Sequence, residues 1–110
     1  MAIPHAKPGE IVDVRPMGPA FASARTSALV RDGQLELIRL VVPAGKKIEQ
    51  HQARGEIVVH CLEGRVAFTA PGKTQNLAAG ELLYLPAGEL HALEGLEDAS
   101  LLVTVLLPKH

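Results

Sequence analysis

From Thr26 to Leu107 the chain alternates short apolar runs with glycine- and proline-centred breaks, spaced about 8 to 12 residues apart. The pattern predicts strands over Thr26 to Val30, Gln34 to Val42 and Ile57 to Leu62, closing on Ser100 to Leu107. Turns are expected at Asp32-Gly33, Pro43-Ala44-Gly45, Arg54-Gly55, Glu63-Gly64, Pro71-Gly72, Ala79-Gly80, Pro86-Ala87-Gly88 and Gly95. Asp32-Gly33 reads as a two-residue hairpin turn, because both positions tolerate positive φ. Residues 1–9 carry Pro4, Pro8 and Gly9 without periodicity and read as an N-terminal arm. Residues 10–110 then form one domain, in which Glu10 to Val14 is a short strand candidate and Ala20 to Ala24 the one place for a helical turn. Before the C-terminus no amphipathic helical repeat competes. The fold class is therefore all-β, a sandwich or barrel.

The last run, SLLVTVLL, is apolar at nearly every position rather than every second one, and a strand needs that only when both its faces are covered. One domain this small has a single interior. A second copy of the chain is the expected cover, making a homodimer, although the N-terminal arm folded over the sheet would serve the same purpose.

Composition narrows the partners more than the fold. Eleven Lys and Arg against twelve Asp and Glu leave a formal charge of −1, so no polyanion-binding surface is expected and nucleic acid is not a predicted partner. Cys61 is the single cysteine, which excludes an internal disulfide and a multi-cysteine zinc site and suits a reducing compartment. MAIPHAKPGE lacks a signal-peptide core, and no run approaches the ~18 apolar residues of a membrane span. These features read as a soluble, cytoplasmic protein.

Two stretches carry the chemistry. Gly45, five residues, His51, and then Glu63-Gly64 resemble the first cupin motif, and Gly80, five residues, Pro86-Ala87-Gly88, two residues and His91 resemble the second. The resemblance spans about residues 43 to 95 and implies a double-stranded β-helix, the jelly-roll barrel of the cupins, small, RmlC-like and usually dimeric. That barrel serves isomerases, dioxygenases, decarboxylases, sugar epimerases, effector-binding modules and storage proteins alike, so it does not by itself name a reaction. In metal-binding cupins the ligands are two histidines and a glutamate of the first motif and a histidine of the second. Carried over one by one, these positions are His51, Ala53, Ile57 and His91, while the asparagine of the second motif falls on Gly95. Only two of the four donors remain. One divalent metal, Fe, Mn, Ni or Zn, would be held weakly by His51 and His91 alone.

Strand register decides what else reaches the lumen. With the spacing from Ile57 to Gly64 that the family shows, Ile57, Val59 and Cys61 face inward and make a dry wall. A bulge at Arg54-Gly55 would slip the strand by one and turn Glu56, Val58 and His60 inward instead, completing a set of His51, Glu56, His60 and His91. The first register leads to a barrel binding a small organic molecule, with a degenerate metal site and a pocket of Ala53, Ile57, Val59, Cys61 and Tyr84. Its alternative leads to a metal-dependent oxidoreductase or isomerase. Cys61 reads as packing rather than as a nucleophile, and His5 and His110 as solvent-exposed ends. Arg39, inside the apolar LIRLVV, must find a carboxylate or carbonyl if it is buried, a need that an exposed strand face would remove.

Overall fold

A computed structural model describes residues 5–108. Nine strands follow one 3-10 turn, Gly18–Ser23: β1 (Ser27–Arg31), β2 (Leu35–Val42), β3 (Lys47–His51), β4 (Ile57–Glu63), β5 (Arg65–Ala70), β6 (Lys73–Ala78), β7 (Leu82–Leu85), β8 (His91–Gly95) and β9 (Ala99–Leu106). They form two antiparallel sheets, ordered β1-β2-β9-β4-β7 and β3-β8-β5-β6. Between them lies the core, in which Phe68, Leu101, Val42, Val59 and Val66 are fully buried. Each such side chain contributes roughly 1.5 to 3 kcal/mol by leaving water. Among the described residues no helix is long and apolar enough to cross a membrane.

Where the chain turns, glycine supplies the backbone. Gly45, Gly64, Gly72, Gly80 and Gly88 all have positive φ, as the turn signals require. Gly64 has a second reason, since a Cβ there would lie 2.0 Å from the Asp98 carbonyl oxygen. At Gly55 close approach is the whole reason: φ is not positive, but a Cβ would lie 1.8 Å from the Leu106 carbonyl oxygen, so the bulge that the slipped register needs gives way to packing under β9.

Two expectations need correction. Glu10 to Val14 is not a strand, and Ile11 is 98% exposed because no neighbour covers it. The chain enters the barrel only at Ser27, after Ala6 N–H has bonded to the Leu29 carbonyl. Nor is Asp32-Gly33 a two-residue turn with positive φ. The Asp32 carboxylate accepts the Gln34 and Leu35 N–H groups, holding a longer loop that leaves Gly33 unstrained and pulls the carboxyl below its ordinary pKa.

Arg39 is buried, and it has found partners. Its Nη2 donates to the Arg15 carbonyl (2.6 Å), the Ser100 hydroxyl (3.1 Å) and the Glu63 carboxylate (3.3 Å). Glu63 in turn accepts from Ser100 Oγ at 2.5 Å and from the Met17 N–H. This cluster fastens residues 15–18, which precede β1, across the outer face of the five-stranded sheet, so that segment covers one part of the second apolar face.

Candidate functional site

Alternation along the strands decides which residues meet in the lumen. In β4, Ile57, Val59 and Cys61 are buried while Val58 and His60 lie on the outer face, so the unslipped register is the one adopted. Glu56 precedes the strand and is exposed, its carbonyl accepting the Leu106 N–H. The slipped set of His51, Glu56, His60 and His91 is therefore not assembled, because Gly55 is clamped under β9 and leaves no slack for a one-residue shift.

His51 and His91 do come together. They are directly paired across β3 and β8, with ring centroids 4.2 Å apart and planes tilted by 59°. A bulge between Ile48 and His51 brings this about, because it re-aims the end of β3 toward the mouth of the barrel. His51 is exposed and His91 is 6% exposed, its ring stacked on Phe68 at 5.7 Å. Nδ1 of His51 meets the Glu49 carbonyl at 2.9 Å, and Nδ1 of His91 meets the Glu89 carbonyl at 3.0 Å. Burial holds the His91 imidazole below its ordinary pKa; the Glu89 bond opposes this and the nearby His51 adds to it, so His91 is neutral at pH 7.

Beneath the pair opens a cavity of about 270 Å³. Its wall is built from Ile38 and Leu40 of β2, Ile48 and His51 of β3, Ala53 of the connection that follows β3, Ile57 and Val59 of β4, Phe68 of β5, His91 and Leu93 of β8, and Val103 and Val105 of β9. His51 and His91 are the polar members. Ala53, Ile57 and Val59 stand where the sequence places them, but Cys61 and Tyr84 do not line this space. Cys61 faces inward yet lies at the closed end of the barrel, its Sγ against the Glu63 and Gly64 carbonyls. Burial, aided by nearby carboxylates and opposed by the Glu63 bond, pushes its thiol up, so it stays protonated and packs. Tyr84 pairs with outward-facing Val58 and so points away, 58% exposed. Sequence reasoning missed Phe68, Leu93, Ile38, Leu40, Ile48, Val103 and Val105. Counting two residues on from His91 would have found Leu93, but the others depend on pairing between distant strands.

The metal question reduces to the donor set. Among the described residues no group of three His, Cys, Asp or Glu side chains converges to hold an ion. Two imidazoles beside the hydrocarbon of Ala53 and Ile57 do not fit a divalent metal that takes three or more protein ligands. His5 is exposed and takes no part, and His110 lies outside the described residues.

Two sheets closed around one lumen, with paired histidines at its mouth, define a small jelly-roll barrel, and the comparisons place that barrel in a family. The family model "Cupin domain" matches residues 38–106, more than half of the chain, and the chain belongs to the cupin family. No curated protein matches it by sequence. Among solved structures, a conserved protein of unknown function from Streptococcus pyogenes is similar at 22% identity and a TM-score of 0.76, covering 100% of this chain and 97% of that one. A cupin superfamily protein from Desulfitobacterium hafniense matches at 18% identity and 0.76, over 94% and 100% of the two chains. An RmlC-like cupin with a double-stranded β-helix from Methanocaldococcus jannaschii matches at 16% and 0.73, over 90% and 94%. At these identities the likeness is one of fold.

Proposed function

We propose that this cupin is a binding module for a small, largely apolar organic molecule, held in the lumen without a metal. The observation that carries the reading is the wall itself: ten of its twelve residues are hydrocarbon, and the two polar ones sit together at the mouth. Small-molecule sites are usually composed this way, with an apolar body and a few convergent polar groups. An apolar cavity near 150 Å³ holds a benzene, so 270 Å³ accommodates a molecule of about ten heavy atoms. Its single buried thiol suits a cytoplasmic setting.

Chelator-treated protein should therefore bind aromatic molecules of that size, with methyl NMR shifts confined to residues such as Ile57, Leu93 and Val105. Val103→Phe, which fills the space, should abolish those shifts while the fold persists. Fe, Mn, Ni or Zn should leave the melting temperature unchanged. A rise with any of them that His91→Ala removes would instead favour the metal-dependent reading.

A second copy of the chain is the proposed partner. Leu82 (61% exposed), Tyr84 (58%) and Leu106 (45%) lie on the outer face of the five-stranded sheet, beside half-buried Val58, Leu62 and Leu102, beyond the part that residues 15–18 cover. Sedimentation should show a dimer at micromolar concentration and a folded monomer for Tyr84→Asp. A monomer in both cases would rule out this pairing.

A further inference from the structure

Both histidines at the mouth are held in one tautomer, and by the same device. A backbone carbonyl can only accept, so Nδ1 of His51, facing Glu49 O, and Nδ1 of His91, facing Glu89 O, must each carry the proton. In a neutral imidazole that leaves Nε2 as a bare acceptor. The constraint is imposed twice, by the segments Glu49-Gln50-His51 and Glu89-Leu90-His91, which meet across the β3–β8 pair. Since the rest of the wall is hydrocarbon, its side chains offer acceptor lone pairs and no donor.

We propose that the ligand of this lumen is a hydroxyl compound, a phenol or an alcohol on an apolar body, whose O–H donates to Nε2 of His91. The inference rests on the apolar-pocket reading above and adds the ligand's polar group to it. A ketone or ether of the same shape would set its own lone pairs against that of the imidazole. A carboxylate would in addition bury a charge beside hydrocarbon. His51 is exposed and keeps access to water, whereas His91 is covered, so discrimination falls on His91. A buried acceptor left unpaired by a ligand lacking the donor is penalised in affinity by about tenfold or more.

The test compares three probes of matched shape, 4-propylphenol, its methyl ether and propylbenzene, with chelator-treated full-length protein at about pH 8, above the ordinary histidine range. Calorimetry should find the phenol at least about tenfold tighter than the ether. His91→Phe should erase that preference while propylbenzene still binds. Nitrogen-15 spectra of the unliganded parent should show a protonated Nδ1 and a bare Nε2 in both rings, a readout that needs no variant to fold. Equal affinity for phenol and ether, or a protonated Nε2 on His91, would overturn the proposal and leave the pocket standing. Failure of all three probes, propylbenzene included, would overturn the pocket and the proposal together.

Discussion

Ala53→His combined with Ile57→Glu is expected to bind zinc or nickel at least about 100-fold more tightly than the parent does. Both positions line the same cavity as His51 and His91, and Ile57 is 3% exposed, so the new side chains would enter the lumen beside the existing imidazoles. Three imidazoles and a carboxylate make a complete donor set, where two imidazoles do not. The same geometry predicts a penalty without metal. A carboxylate buried among Val59, Val103 and Val105 would cost several kcal/mol, so the metal-free variant should melt well below the parent. Ion at about 100 times its dissociation constant should return roughly 2.7 kcal/mol. Melting curves with and without metal check both halves. A folded variant whose curve ignores the ion would show that the two strands do not converge as described.

Arg39→Ala is expected to lose about 3 to 5 kcal/mol in urea denaturation. Arg39 and Glu63 have side chains only 7% and 14% exposed, and removing the guanidinium leaves a covered carboxylate without its counter-charge. Replacing both at once, as Arg39→Met with Glu63→Leu, should recover much of the loss, because hydrocarbon of similar size needs no partner. A loss in the single variant below about 1 kcal/mol would mean that the pair behaves as a solvated surface bridge. The cluster also sets a pH dependence. Burial pushes the Glu63 carboxyl up, but the Ser100 hydroxyl, the Met17 and Gly18 N–H groups and Arg39 together outweigh it, leaving the pKa below its ordinary 4.5. A carboxylate whose folded pKa is depressed stabilises fully above its unfolded value and ceases to do so as pH falls through the folded one. Parent protein should therefore lose stability below about pH 4.5 more steeply than Glu63→Gln.

Much of the barrel was legible in the chain because its signals are local. Glycines at 45, 64, 80 and 88 mark turns that need positive φ, and the alternation of Ile57, Val59 and Cys61 marks an inner face. The spacing around His51 and His91 reads as a cupin pair, and the structure sets the two side by side. What the chain left open depends on contacts between distant segments. A side-chain period of two cannot exclude a one-residue slip, so the chain alone leaves Glu56 and His60 as candidates, and the contact of Gly55 with Leu106 is what excludes them. Glu10 to Val14 has the composition of a strand and no strand to pair with, and Ile11 is left in water. The partners of Arg39 come from three separate places, Arg15, Glu63 and Ser100, and no spacing rule connects them.

Gly95 stands where the second cupin motif has asparagine, and its surroundings leave a side chain no room. Its N–H bonds to the Lys46 carbonyl, its carbonyl accepts the Gly45 N–H, and a Cβ would come within 2.3 Å of the Pro43 oxygen. The neighbouring main chain occupies the room that an amide would need. Completing the motif is thus beyond any single exchange: the loop from Pro43 to Lys46 would have to withdraw first, and a library mutating residue 95 alone should return glycine.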